Sequence, residues 1–154
     1  MNRKDMAMEN FLKGYNCSQS LVLAFSDLLK TEEMDLIMAM SSSFGGGMGR
    51  LREVCGSVSG MFLVIGALYG YSGPETGKIK ADHYKKIQEL ARRFEEKNGS
   101  IVCRELLGLK VKSQDPTPEA RTKEYYKKRP CKEIVGCAAE ILDQFIKEIE
   151  EGEC

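Results

Sequence analysis

No charged residue occurs in the stretch Val54-Cys-Gly-Ser-Val-Ser-Gly60-Met-Phe-Leu-Val-Ile-Gly-Ala-Leu-Tyr69-Gly-Tyr-Ser-Gly-Pro74, which is 21 residues long. Its middle, from Met61 to Tyr69, is strongly apolar, and the whole stretch is long enough to cross a bilayer. Glycines and serines dilute its hydrophobicity, however. We therefore expect a helix that is apolar on all sides and buried at the centre of a helical bundle, with no direct membrane insertion.

The glycines of this central helix form two small-xxx-small pairs, Gly56/Gly60 and Gly66/Gly70. Such pairs allow a second helix to approach closely. The approaching helix belongs either to the same chain, which we favour, or to a second copy. A homodimer is therefore kept as an alternative.

Helical patterns flank the central helix on both sides. Asn16 is a natural N-cap, and Pro130 is suited to open the last helix. Besides the central helix, the sequence predicts helices over 2–13, 17–29, 31–40, 75–97, a short one between Ser100 and Gly108, 119–128, and one from Pro130 that carries Ile134, Ala138, Ile141, Phe145 and Ile149 on one face. No segment alternates with period two for long. We expect an all-α fold, a single-domain helical bundle (1–154) of about five to seven helices, with 1–7 and 148–154 frayed.

The net charge of the chain indicates which classes of partner it can bind. The 154 residues include 23 basic and 23 acidic side chains, which gives a formal net charge of zero. Nucleic acids and anionic membranes select a basic excess, so neither is expected as a partner. The first 17 residues carry scattered charges and lack the apolar segment of a signal peptide. The predicted location is the cytoplasm, where thiols stay reduced.

Six cysteines against one histidine is the unusual feature of the composition. Four of them fall in the first turn of a predicted helix: Cys17, Cys55, Cys103 and Cys131. There the free N–H groups and the helix dipole favour negative charge, which lowers the pKa of a thiol. Basic residues flank three of the four: Arg50 and Arg52 near Cys55, Arg104 beside Cys103, and Arg129 and Lys132 around Cys131.

The remaining candidates have simpler interpretations. Cys137 lies in register with Ile134 and Ile141 and is expected to pack as a small core residue, whereas Cys154 ends a charged tail. His83, the only imidazole, is expected at the surface or the boundary of the charged helix. No C-x-x-C pair occurs, so spacing alone leaves open whether the four cysteines share a redox or metal site or are packed separately.

Two further segments could bind ligands. The loop of Gly45, Gly46, Gly47, Met48 and Gly49 has neither the lysine of a phosphate loop nor a preceding strand, so we expect it to turn the backbone and deliver Cys55. An anion-binding nest formed by these glycines is kept as an alternative. The basic run 121–129 interleaves two tyrosines with five cations, which could hold nucleic acid. Because its neighbours are acid-rich, a solvated face or a positive rim for Cys131 is the better interpretation.

Four ordered blocks resemble a known family. They are Tyr15-Asn-Cys17-Ser-Gln, Phe44-Gly-Gly-Gly-Met-Gly-Arg-Leu-Arg-Glu-Val-Cys55-Gly-Ser-Val-Ser-Gly60, Cys103-Arg-Glu-Leu-Leu-Gly108 and Arg129-Pro-Cys131. The chain resembles the C-GCAxxG-C-C family of redox-active proteins from about residue 8 to 145. The resemblance implies that the four hallmark cysteines are Cys17, Cys55, Cys103 and Cys131. Ser57 stands where the motif has Ala.

The resemblance extends to a domain of split-Soret cytochromes c, which bind haem and an iron–sulfur centre. This sequence has no C-x-x-C-H, so we expect no c-type haem. Two chemistries remain for the four cysteines. They could bind an iron–sulfur cluster, with zinc less favoured because close ligand pairs are missing, or they could cycle between dithiol and disulfide. A different class is a binding module without turnover, a metal-dependent or dimeric partner of a membrane transporter with structural cysteines.

Overall fold

A computed structural model of the protein describes residues 1–74 and 76–152. In these ranges the chain forms ten helices and no β-strand, which confirms the all-α, single-domain prediction. The helices are α1 (Arg3–Leu12), α2 (Cys17–Ala24), α3 (Ser26–Leu29), α4 (Met34–Ser42), α5 (Gly45–Met48), α6 (Gly56–Tyr69), α7 (Lys78–Asn98), α8 (Cys103–Leu106), α9 (Lys123–Lys128) and α10 (Cys131–Glu150). Fraying of 1–7 and 148–154 stays a prediction, and Cys154 lies outside the described residues.

The number of helices exceeds the predicted five to seven. Six of the ten have eight residues or more, and the other four have four to six. Two of the short ones, α8 and α9, lie within predicted helices, whereas α3 results from a break in a predicted helix and α5 lies in the glycine-rich loop. The basic helix α9 likewise begins at Lys123 rather than 119. The reason is that Thr122 caps it, its hydroxyl oxygen accepting from the Tyr125 N–H at 3.2 Å.

A break at Phe25 divides the helix that was predicted over 17–29. Phe25 has φ −114° and ψ 13°, and its side chain is fully buried. The carbonyl of Ala24 accepts a hydrogen bond from the Arg3 guanidinium at 2.8 Å, and that guanidinium lies over the Phe25 ring. Tertiary contacts with α1 therefore replace helical ones at this point.

Helix α6 packs against α2 through its first glycine pair. A Cβ on Gly60 would lie 2.9 Å from Cδ2 of Leu21, and one on Gly56 would lie 3.0 Å from Cβ of Cys17. All residues from Gly56 to Met61 are buried. The second half of α6 is more open, and a Cβ on Gly66 would meet no other atom within 4 Å. The first pair thus allows a close contact within the chain, and this contact places Cys17 beside the start of α6.

Four phenylalanines from different parts of the chain fill the core: Phe11 of α1, Phe25 after α2, Phe94 of α7 and Phe145 of α10. Burial of each stabilises the fold by about 1.5–3 kcal/mol relative to an exposed ring. The longer helices α7 and α10 pack on each other and on α6, and α10 also packs along α1. This core holds the N-terminal ends of α2, α6 and α10 in place.

None of the helices in the described ranges combines the length and the apolar character that crossing a membrane requires. Helix α6 has 14 residues.

Candidate thiol site

Four cysteines stand at the beginnings of four helices. Cys17, Cys103 and Cys131 are the first residues of α2, α8 and α10, and Cys55 directly precedes α6. All four line one cavity of about 370 Å³. Cys55 and Cys103 are buried, whereas Cys17 and Cys131 are half-buried. The residues singled out in the sequence therefore share one cavity, although 38, 48 and 28 positions separate them along the chain.

A short antiparallel bridge between Val54 and Val102 brings Cys55 and Cys103 together. The Cys55 N–H donates to the carbonyl of Ile101 at 2.8 Å, and the Cys103 N–H donates to the carbonyl of Glu53 at 2.6 Å. Both amides lie at the start of a helix, where an N–H group has no acceptor within the helix. The bridge supplies these two N–H groups with carbonyl acceptors. Nothing in the sequence indicated the bridge.

The thiols of Cys17 and Cys131 form the second pair, and the interaction between them shifts the pKa of both. Arg121 connects the segments that carry them. Its guanidinium donates to the carbonyls of Phe11 and, at 2.8 Å, Tyr15, which precede α2, and it stacks over the Phe11 ring. Asn16 fixes the start of α2 in a capping box with Gln19, as its identification as an N-cap predicted.

The cavity is rich in positive charge. Four of its residues are arginines, namely Arg50, Arg52, Arg121 and Arg129, and one is a carboxylate, Glu119. Arg129 is buried and pairs with Glu119. Arg104, which the sequence placed beside Cys103, does not line the cavity and pairs with Glu53 at 3.2 Å. The basic run 121–129 thus supplies two cavity arginines, in line with a positive rim for Cys131.

Arg52 is the least exposed of these four arginines. The residue is 6% exposed, and its Nη1 donates to Sγ of Cys103 at 3.4 Å, while its Nε donates to Oε1 of Gln114 at 2.8 Å. Charge on Nη1 favours a thiolate on Cys103, but burial disfavours it more, and the pKa of Cys103 is raised.

Helix starts were expected to lower the pKa of all four thiols, and for three of them this was wrong. Burial raises the pKa of Cys55 to about 12, and the hydrogen bond to Cys131, together with burial, raises the pKa of Cys17 well above its ordinary value. Desolvation of the charged form outweighs the helix dipole at these positions.

Cys131 alone has a lowered pKa, of about 7. The largest cause is its hydrogen bond with the Cys17 thiol, followed by the charges of Arg129, Arg52 and Arg121, and burial opposes them. A thiol with this pKa is about half ionised at neutral pH, and the thiolate is the nucleophile. The site therefore contains one activated sulfur in contact with one protonated sulfur.

The glycine-rich loop forms another wall. Gly45, Gly46, Gly47 and Gly49 all line the cavity, and the last three have φ between 65° and 68°. Arg50 and Arg52 follow with positive φ as well, a conformation that costs non-glycine residues about 1–3 kcal/mol. This loop was expected to deliver Cys55, and it also positions two of the four arginines.

Two remaining candidates lie away from the cavity. Cys137 lies within α10, half-buried, with its Sγ accepting from Nδ2 of Asn98 at 3.6 Å. His83 of α7 meets the ring of Tyr71 edge to face at 5.7 Å. Neither lines the cavity.

A metal ion requires several donor side chains placed around one point. Among the residues that the structure describes, no group of three or more His, Cys, Asp or Glu side chains is placed to hold a metal ion. The four thiols match the donors of an iron–sulfur cluster in kind and number. The iron–sulfur and zinc hypotheses stay predictions.

A family model described as "Putative redox-active protein (C_GCAxxG_C_C)" matches residues 15–145. A comparison with curated proteins and one with solved structures found no match. The matched segment contains the four cavity cysteines, the glycine-rich loop and the four arginines. Since the match covers most of the 154 residues, this chain belongs to the C_GCAxxG_C_C family.

Proposed function

We propose that the protein is a thiol–disulfide redox protein in which Cys131 is the attacking nucleophile and Cys17 is its partner. One observation carries this assignment: the half-buried thiols of Cys17 and Cys131 line the same arginine-rich cavity, where their interaction lowers the pKa of Cys131 and raises that of Cys17. Such a pair has the parts that exchange requires, a thiolate to attack and a second thiol to resolve.

The exchange has two steps. The Cys131 thiolate attacks one sulfur of a substrate disulfide, forms a mixed disulfide and releases the other substrate sulfur as a thiolate. Cys17 then loses its proton to solvent, attacks Sγ of Cys131 and releases the second substrate thiolate. Two electrons pass from the Cys17–Cys131 dithiol to the substrate disulfide, and an external dithiol reductant restores the protein by the reverse exchange.

The charge on the Cys131 thiolate determines the order of these two steps. While Cys131 is a thiolate, its charge and its hydrogen bond hold the pKa of Cys17 high, so that Cys17 stays protonated. The mixed disulfide removes that charge and the hydrogen bond from Sγ of Cys131. The pKa of Cys17 then falls, because the interaction with Cys131 that raised it most is lost. Attack by Cys17 is therefore delayed until the substrate is attached.

A mapping experiment tests the proposal. The reduced full-length protein is oxidised by one equivalent of a small disulfide and digested, and the cross-linked peptides are identified by mass spectrometry. We expect one bond, Cys17–Cys131. Cys17→Ser should accumulate the mixed disulfide on Cys131, and Cys137→Ser, a change outside the cavity, should behave like the natural protein. A bond between other cysteines, or no bond, contradicts the assignment.

An iron–sulfur cluster is a second candidate, favoured by the presence of all four thiols on one cavity. Cys17, Cys55, Cys103 and Cys131 would be its ligands, and the bound cluster would supply one-electron transfer. Anaerobic purification followed by iron and sulfide analysis decides between the candidates. A brown protein with stoichiometric iron and sulfide favours the cluster, and a colourless protein with titratable thiols favours exchange.

A further inference from the structure

The charges of the cavity do not balance. Four guanidinium groups line the cavity, and Glu119 is the one carboxylate among the lining residues. These side chains give a cavity of about 370 Å³ an excess of three positive charges.

Three of the four arginines have no ion-pair partner among the described residues. Arg50 donates to the carbonyl of Asp115 at 2.8 Å, Arg121 donates to two backbone carbonyls, and Arg52 donates to Gln114 and Cys103. Only Arg129 is paired with a carboxylate. Arg52 is the most informative of the three, because it is buried with no carboxylate paired to it, and burying a cation without full charge compensation is costly. The balance is restored if an anion binds beside it.

The volume of the cavity limits the size of the ligand that it can hold. A cavity of this volume falls in the range of small-molecule sites, about 300–1,000 Å³. Its walls include the apolar side chains of Phe11, Leu106 and Ile134, and the thiols of Cys17 and Cys131 lie on them. Both thiols are half-buried in a concave site, which a small molecule enters more readily than a disulfide fixed in a folded protein.

We propose that the cavity is a binding site for small disulfides that carry carboxylates, with Arg50, Arg52 and Arg121 as the groups that receive the carboxylates. This inference rests on the proposed function, because it names the substrate class of the Cys131 thiolate. Bidentate contact between guanidinium and carboxylate fixes the orientation of a ligand. It would hold the disulfide bond near Cys131, which lines the same cavity as these arginines.

The test uses three small disulfides that differ mainly in charge: dithiodipropionate with two negative charges, hydroxyethyl disulfide with none, and cystamine with two positive charges. Oxidation of the reduced protein is followed at pH 7 and low salt. Each rate is divided by that of the thiolate of N-acetylcysteine amide, which carries no other charge, with the same disulfide, and this removes the intrinsic reactivity. We expect the normalised rate for dithiodipropionate to exceed that for hydroxyethyl disulfide by about tenfold or more, with cystamine slowest. Added salt should reduce these differences.

Matched variants test whether the cavity arginines cause the charge preference. Arg50→Gln should lower the preference for dithiodipropionate by about threefold to tenfold, whereas Arg50→Lys should retain most of it. Lys85→Gln removes an exposed charge from α7, which contributes no cavity residue, and should leave the preference unchanged. Suberate, which has the same chain length and charge as dithiodipropionate but no disulfide, should slow the oxidation as a competitor, and octanediol should not.

The outcomes separate the two proposals. If the Cys17–Cys131 bond forms but the normalised rates do not depend on charge and suberate has no effect, the substrate class is wrong and the exchange function stands. If none of the three disulfides yields that bond, the exchange function is wrong, and the inference that rests on it falls too.

Discussion

Gly47 lies so close to Cys103 that a Cβ on Gly47 would stand 2.6 Å from the Cβ of Cys103 and 2.9 Å from the Cα of Arg52. Both neighbours belong to the cavity wall. The absence of a side chain at this position therefore determines where one of the four thiols and the most buried arginine are placed.

Gly47→Ala tests this relationship. The new methyl group must push Cys103 or the Arg52 backbone aside, and the φ of +65° also disfavours alanine. We expect a loss of about 2–4 kcal/mol in the free energy of unfolding, measured by urea denaturation. Gly108→Ala is the matched control, because Gly108 has φ +66° and open space where a Cβ would be. It should lose only about 1 kcal/mol. Equal losses would mean that the close contact has no energetic weight.

The alkylation rate of Cys131 should depend on pH with a midpoint of about 7. Below the midpoint the thiolate fraction falls about tenfold per pH unit, and the rate falls with it. The measurement is iodoacetamide modification followed by peptide mass spectrometry. Cys131→Ser should remove the reaction at pH 6–7, and Cys137→Ser should retain it. A midpoint equal to that of an unfolded cysteine would disprove the activation of Cys131.

Arg129→Gln should move this midpoint to higher pH. The guanidinium of Arg129 is the first charge among the causes that lower the pKa of Cys131. The substitution also breaks a buried ion pair with Glu119, so the free energy of unfolding should fall by about 1–3 kcal/mol. Arg129→Lys keeps the charge and should retain more of the low midpoint. If both variants titrate like the natural protein, the arginine has no electrostatic role at the thiolate.

Alkaline pH should destabilise the protein through Cys55. Its pKa is raised to about 12 in the folded state, so the proton is held more tightly there than in the unfolded chain. The resulting stabilisation is complete below the unfolded pKa, and it is lost as the pH rises from about 9 towards 12. One such group contributes a slope of up to about 1.4 kcal/mol per pH unit.

Cys55→Ala isolates that contribution. Urea denaturation of the variant across pH 8–11 should give a shallower decline than that of the natural protein. Cys137→Ala, which changes a thiol outside the cavity, should retain the full decline. Parallel curves for Cys55→Ala and the natural protein would show that the burial of Cys55 has no effect on its proton.

Local patterns in the sequence predicted much of this arrangement. Asn16, identified as an N-cap, predicts the start of α2, and the apolar residues Ile134, Ala138, Ile141 and Phe145 recur at helical spacing on the buried face of α10. The placement of four cysteines at helix starts follows from the same caps and breaks. These features depend on residues within one or two turns of each other.

The features that could not be predicted join distant residues. The Val54–Val102 bridge connects segments 48 positions apart, and neither segment carries a strand pattern. The break at Phe25 depends on Arg3, which is far from it in sequence. The pKa values diverge because burial differs among the four thiols, and burial is a property of the assembled core.

The low pKa of Cys131 depends on Cys17, Arg52, Arg121 and Arg129, which the fold gathers from across the chain. In an unfolded or partly synthesised chain these groups are apart, and every thiol has an ordinary pKa of about 8.5. Reactivity near pH 6.5 is therefore a signature of completed folding. Nascent or damaged copies would be poor nucleophiles, and the same assay that detects the thiolate also counts the correctly folded molecules in a sample.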